Sequence, residues 1–355
     1  MTGYEYGNTR VRAMRSRLLG TDDYAEMIAA GSLDRALAVL AETDYRPDVE
    51  TALVRAQGLR RMDYSARSNL TRTLKAMASF YAETPRRHVD LLLHRWDRRN
   101  LRALLRLPEA TRMSPDLTGL LVPAGRLDEA ALAELVAQGD ARSLIDLLVA
   151  WGVPTIETAT AIARARYRYE TEGDPAVLEL AIDRAFAQEL EDVLGEEGDG
   201  AAAVLRSEID ARNLETALRL RRARLDRESG WPDVTVDYVP GGLVPTDVWG
   251  QVALTDTPEA IAALLTARRL PPRWDRVIGA WVEHGDIVRV HDDLQRATTA
   301  AAVERFVTGD VLGFDIPLAY VFAKEAEVRN LQLIGRGIVH GLPVDEVEAR
   351  LEPAA

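Results

Sequence analysis

The sequence contains no cysteine. Disulfide scaffolds, thiolate zinc sites, iron–sulfur clusters and cysteine nucleophiles are excluded together. Lysine is almost as scarce. Lys75 and Lys324 are the only two, and they follow Leu74 and Ala323. A P-loop requires Gly-Lys-Ser/Thr, so an ATPase of that class is excluded as well. No run approaches the roughly 20 apolar residues of a membrane span. The Arg-rich segment Met1–Arg17 lacks the apolar core of a signal peptide. The expectation is a soluble cytoplasmic protein. Strand patterns are rare too. The best is Val234–Val239, beside Pro240-Gly241-Gly242, and it reads equally well as extended linker.

Signatures of catalysis are also missing. None of the five histidines (His88, His94, His284, His291, His340) sits in a His-Glu-x-x-His pattern. There is no Gly-x-Ser-x-Gly elbow and no Gly-x-Gly-x-x-Gly loop. The glycine-rich stretch Gly195–Gly200 is acidic and would repel phosphate. The acid pairs Asp22-Asp23, Glu196-Glu197 and Asp292-Asp293 read as solvated faces or caps. No catalytic, cofactor-binding or metal-ligating residue is singled out, and no cofactor is expected.

What is present is helix and repetition. The chain has 355 residues, 47% of them apolar, enough for two or three domains with real cores. Its formal charge of −12 argues against a dedicated nucleic-acid binder. Leu33, Ala36, Leu37 and Leu40 recur at helical spacing after Ser32, an N-cap residue type. Leu144, Leu147 and Leu148 do so after Asp140. Asp174-Pro175 and Thr257-Pro258 each read as a cap followed by proline at a helix start. The spacing predicts an almost wholly α-helical chain.

Arg-Asn-Leu occurs three times, as Arg99-Asn100-Leu101, Arg212-Asn213-Leu214 and Arg329-Asn330-Leu331. Each copy has an acid three residues before its Asn: Asp97, Asp210 and Glu327. Acid and Asn at i and i+3 share a helix face. Val122-Pro123-Ala124-Gly125 recurs 117 residues on as Val239-Pro240-Gly241-Gly242. Apolar positions then align without gaps: Leu132 with Trp249, Leu135 with Val252, Leu144 with Ile261, Leu147 with Leu264. A weaker copy lies 108 residues upstream, where Leu19 answers Leu127, Met27 answers Leu135 and Leu40 answers Leu148. Glu5 and Asn8 form a partial copy of the acid-x-x-Asn pattern. The expectation is three copies of one helical unit, over residues 1–117, 118–234 and 235–355, in a ring-like arrangement that the two ends complete. The repeated motif reads first as a packing device and second as a contact surface displayed three times.

Charge is polarised along the chain. Arg86–Arg106 holds seven Arg against two acids, and Arg206–Arg227 seven against four. Glu170–Asp199 holds eleven acids and one Arg. Trp96 is the only aromatic in the first arginine tract, too few stacking platforms for single-stranded nucleic acid. An acidic protein surface is the expected partner of these tracts.

Two segments carry a family resemblance. The opening Tyr4-Glu-Tyr-Gly-Asn-Thr-Arg-Val-Arg-Ala-Met-Arg-Ser-Arg-Leu-Leu19 resembles the start of the C subunit of archaeal and bacterial V/A-type ATP synthases. Lys324-Glu325, Val328-Arg-Asn-Leu331, Ile334, Arg336-Gly337 and Gly341-Leu-Pro343 resemble that family's end. The family is similar to the d subunit of eukaryotic V-ATPases. A basic residue that often follows the family's Arg-Gly is replaced here by Ile338 and Val339, with His340 after them. The resemblance implies a non-catalytic rotor component present in one copy per complex. Three helical subdomains would form a pseudo-threefold funnel, seated on the cytoplasmic side of the membrane rotor ring of c, K or L subunits. The funnel would receive the central stalk, built from the D and F subunits, and pass torque that couples ATP to proton or sodium transport. Under this resemblance Arg98, Arg102, Arg219 and Arg222 are the candidate contacts to the stalk or the ring. Two other readings stay open: a helical repeat scaffold for some other protein, and an enzyme with its site at the centre of the repeat.

Overall fold

The computed structural model describes residues 3–106, 121–195, 200–226, 238–268, 270–271 and 273–352. Among the described residues there are 17 α-helices and no strand, so the all-α expectation holds. Val234–Val239 and Gly195–Gly200 lie for the most part outside the described residues, as do the expected boundaries after 117 and 234.

In chain order α1 (Glu5–Arg15) leads and three runs of five helices follow. The first is α2 (Thr21–Ala29), α3 (Leu33–Leu40), α4 (Arg46–Arg55), α5 (Leu59–Ala78) and α6 (Glu83–Arg106). The second is α7 (Glu129–Val136), α8 (Ala141–Trp151), α9 (Ile156–Glu172), α10 (Ala176–Leu194) and α11 (Ala201–Leu225). The third is α12 (Thr246–Leu254), α13 (Pro258–Thr266), α14 (Trp274–His284), α15 (Ile287–Thr308) and α16 (Asp315–His340). A short α17 (Val344–Arg350) comes last. Each run opens on short helices and closes on its longest, of 24, 25 and 26 residues, and that last helix carries the Arg-Asn-Leu copy.

Local signals explain where the helices begin. The Ser32 hydroxyl accepts from the Arg35 N–H at 3.4 Å, and the Thr257 hydroxyl from the Ala260 N–H at 3.3 Å ahead of Pro258. Asp174 accepts from the Ala176 N–H at 2.9 Å, with Pro175 directly before α10. Each side chain satisfies an amide that the helix cannot. The α16 helix stops at Gly341, whose φ of 65° is open to a residue without a Cβ.

The chain divides into two compact units. The first comprises Met1–Asp140 and Val303–Ala355. Its axis is α16, in which every residue from Asp315 to Val328 is buried. Helices α1, α2, α3, α5, α6 and α17 pack against it. A helix covered all round must be apolar or must pair its charges. Lys324, Glu325 and Glu327 therefore require partners inside the unit.

The second unit spans Ala141–Ala302. Trp249 and Trp274 are fully buried in a core with Leu214, Leu218, Val252 and Leu265. Helix α14 supplies Trp274, Val277, Ile278 and Trp281 from one face, at i, i+3, i+4 and i+7. The positions aligned by repeat agree in burial. Leu19 and Leu127, Met27 and Leu135, Leu40 and Leu148, and Leu144 and Ile261 are all buried, whereas Leu147 and Leu264 are both half-buried.

Truncating Trp249 to Ala should cost about 3–5 kcal/mol in urea unfolding, the usual loss for an enclosed aromatic. Tyr167→Ala, at a side chain 80% exposed, should stay within about 0.5 kcal/mol of the parent protein.

Candidate functional site

The acid-x-x-Asn copies build one device three times. In the first, the Asn100 side chain donates to the Val122 carbonyl at 2.8 Å and accepts from the Val122 N–H at 3.0 Å. The amide thus stands in for a neighbouring peptide group. One turn earlier the Asp97 carboxylate accepts from the N–H groups of Arg126 (2.8 Å) and Leu127 (3.0 Å). The second copy repeats this atom for atom. Asn213 exchanges two bonds with Val239 at 2.8 and 2.9 Å, and Asp210 accepts from Leu243 (2.7 Å) and Val244 (3.3 Å). Each latch ties the last helix of one run to the loop that leads into the next. Leu101 and Leu214 point into the core behind it.

The recurrent Val-Pro-x-Gly now has a cause. Val122 and Val239 present the peptide edge that Asn grips. A Cβ on Gly125 would lie 2.2 Å from Asp97 Oδ2, and one on Gly242 2.0 Å from Asp210 Oδ1. Only glycine leaves room for the carboxylate.

The third copy differs in its acid. Asn330 bonds the backbone of Glu352 at 3.0 and 2.8 Å. Glu327, one methylene longer than Asp, accepts from the Leu19 N–H at 2.6 Å, from the Tyr45 hydroxyl at 2.5 Å and from the Lys324 ammonium. Leu19 and Leu127 are the positions aligned by sequence, so the third run is latched to the loop before α2. In the partial copy the Asn again bonds a loop backbone. Asn8 donates to the carbonyls of Val311 and Gly313, both at 2.9 Å, and accepts from the Tyr81 hydroxyl at 2.8 Å.

The arginines of the motif each meet a buried carboxylate. Arg99 reaches Glu325 at 3.5 Å, Arg212 pairs with Asp183, and Arg329 holds Glu352 at 2.5 and 2.6 Å. Glu325 is also gripped by Arg95 through two bonds, at 3.0 and 3.2 Å, and Arg95 is fully buried with its guanidinium on the Phe322 ring at 4.2 Å. Sequence reasoning read Lys324-Glu325 only as part of a family-like segment and singled out neither Arg95 nor Tyr45. The available signal was three charges within the apolar stretch Ile316–Val328.

Of the candidate contacts, Arg98 and Arg102 are half-buried on α6 in the first unit. Arg219 and Arg222 are exposed on α11 in the second, each paired one turn away, with Glu215 (3.3 Å) and Asp226 (3.5 Å). Arg222–Asp226 is exposed on both sides, and such a pair holds little energy and is free to exchange partners. Glu215 is largely buried and also bonds His291 at 2.7 Å, while the Arg219 end of its pair stays exposed.

Burial pushes the Asp97 carboxyl up, against the downward pull of the Leu127 and Arg126 amides. Asp210 is pushed up to about 7 by burial, opposed by its two amide donors and Arg206. Its folded value lies above the unfolded one. From about pH 4 to 7 the folded chain therefore keeps a proton that the unfolded chain has released, and this contribution to stability falls as pH rises through that window.

The family model described as ATP synthase (C/AC39) subunit matches residues 7–350. The chain is 29% identical to the V-type ATP synthase C subunit of Deinococcus radiodurans, over 98% of this chain and 91% of that protein. It is 28% identical to the A-type ATP synthase C subunit of Haloferax volcanii, over 98% and 97% of the two chains. To the A-type ATP synthase C subunit of Halobacterium salinarum it is 26% identical, again over 98% and 97%.

Two expectations follow from the latch geometry. Gly125→Ala and Gly242→Ala should each cost about 2 kcal/mol or more in thermal or urea unfolding, because a buried carboxylate or its amide donors must be displaced. Gly139→Ala, with nothing within 4 Å of its added Cβ, should change stability by less than about 0.5 kcal/mol. Between pH 5 and 7.5 the parent protein should lose roughly 1–3 kcal/mol more than Asp210→Asn, in which that position no longer titrates.

Proposed function

Because the chain belongs to the ATP synthase (C/AC39) subunit family, we propose that it is the rotor socket of a V/A-type ATP synthase. It has no catalytic role of its own. It sits on the cytoplasmic side of the membrane rotor ring, one copy per complex. It receives the D–F stalk and passes torque between the ATP-handling head and the ring during ATP-coupled proton or sodium transport. No helix among the described residues is long and apolar enough to cross a membrane, so attachment is through partner proteins.

The observation that carries this reading is the threefold latch. Run one is tied to the loop opening run two, run two to that of run three, and run three to that of run one. Such cyclic connectivity is what three similar subdomains, 1–117, 118–234 and 235–355, around a pseudo-threefold funnel require. A socket under torque must not shear, and close-packed helices joined by buried polar bonds resist shear. Exposed arginines that can change partners suit a contact between proteins that are separately soluble.

Native mass spectrometry of the protein with its cognate D–F pair tests the proposal. A one-to-one-to-one complex is expected, loosening as salt is raised. Arg219→Glu combined with Arg222→Glu should weaken it about tenfold at low salt, with the difference shrinking at high salt. Failure to associate with either the stalk pair or the detergent-solubilised ring would overturn the rotor reading.

A further inference from the structure

Between α1 and α5, over the middle of α16, the first unit carries an open groove of about 570 Å³. Among the residues facing it, Ala13 from α1 and Ala76 from α5 are small. Phe80 and Tyr320 make part of its surface apolar. Small residues let another helix approach closely, and an apolar surface rewards it for doing so.

The rim is basic. Arg10 is exposed, and its guanidinium lies on the Phe80 ring at 4.5 Å. Its polar partner is the Tyr6 hydroxyl at 3.3 Å, with no carboxylate in ion-pair range among the described residues. Arg17 is 68% exposed and, among the described residues, its ion-pair partner is Asp44, at 3.8 Å. Asp44 is shared with Arg72 at 3.6 Å, and Arg72 also holds Asp48 at 2.8 Å. Lys75 is exposed beside Ala76 and makes no ion pair among the described residues. Lys324 also lines the groove, but its charge is already taken up by Glu327. Cation therefore exceeds anion at the rim, on a chain whose net charge is −12.

Position adds to charge. Arg10 lies within α1 and Arg17 two residues beyond its end, and both line the same groove. Two carboxylates on one face of a second helix lying along the groove would be placed to meet both. Phe80 already holds the Arg10 side chain, which lowers the entropy lost when it engages a carboxylate.

We propose that this groove docks an acidic amphipathic helix of another subunit, with its apolar stripe on Ala13, Ala76 and Phe80 and its carboxylates on Arg10 and Arg17. The proposal rests on the rotor reading above, since the partner is taken to be a member of the same complex. A protein helix is favoured over a lipid headgroup or a nucleic acid because the groove is bordered by small apolar residues and offers one aromatic face at its rim.

The test uses the assembled complex, purified through a tag on a different subunit. One preparation carries p-benzoylphenylalanine in place of Ala13, and another carries it in place of Ala76. Irradiation should join both positions to the same helix of one other subunit, a segment with at least two Asp or Glu within two turns. Arg10→Glu with Arg17→Glu should lower the adduct per copy of this chain about tenfold, and reversing the partner's acids to Lys should restore it. Adducts only to lipid, only within this chain or to a segment without acids would overturn the docking proposal, as would an undiminished adduct in the double variant. If the chain is absent from the tagged complex, the rotor reading itself fails and the docking proposal fails with it.

Discussion

A buried carboxylate and a buried amide, one helical turn apart, hold each long helix to the loop that leaves or closes its run. Much of the structure depends on that constraint. A loop pressed against a helix leaves backbone N–H and C=O groups without water, and each must find a partner. Asn100, Asn213 and Asn330 supply both a donor and an acceptor from one side chain. Asp97 and Asp210 collect two further N–H groups apiece. The cost is a desolvated carboxyl with no full counter-charge, which is why both groups are pushed upward. The third latch meets the same need differently, setting an ammonium and a phenol beside Glu327.

The charges inside α16 follow the same logic. Glu325 and Glu327 lie within a helix that is covered on all sides. Each is enclosed by cations or donors from outside α16: Arg95 and Arg99 of α6 for Glu325, and Tyr45, just before α4, for Glu327. Removing one partner of such a pair strands the other charge, so these contacts fix which helices face one another. The first arginine tract is accordingly divided in purpose. Arg95 and Arg99 serve the interior, and the second tract offers its exposed members Arg219 and Arg222 to the surface.

A good part of this was legible in the sequence. Ser32 and Thr257 announced helix starts, and Arg-Asn-Leu with its preceding acid marked the last helix of every run. Val-Pro-x-Gly stood at the loop that each of the first two latches holds. The alignment of Leu19 with Leu127 found the amide that Glu327 takes. What sequence could not supply was depth. An arginine tract looks the same whether its members face water or a buried glutamate, because periodicity marks the face of a helix and not what covers it. Lys324 and Tyr45 lie 279 residues apart, and no local pattern joins them. The basic groove of the first unit is hidden for the same reason, since its lining comes from segments far apart in sequence, around α1, α5 and α16.

Hydrogen exchange under native conditions tests the latch account most directly. The amides of Leu19, Val122, Leu127, Val239, Val244 and Glu352 all lie outside the helices, yet each donates to a latch side chain. The account predicts that they exchange as slowly as amides in the centres of α6, α11 and α16, and that they open together with those helices. Exchange at the rate of an exposed loop would show that the loops are not held, and would contradict it.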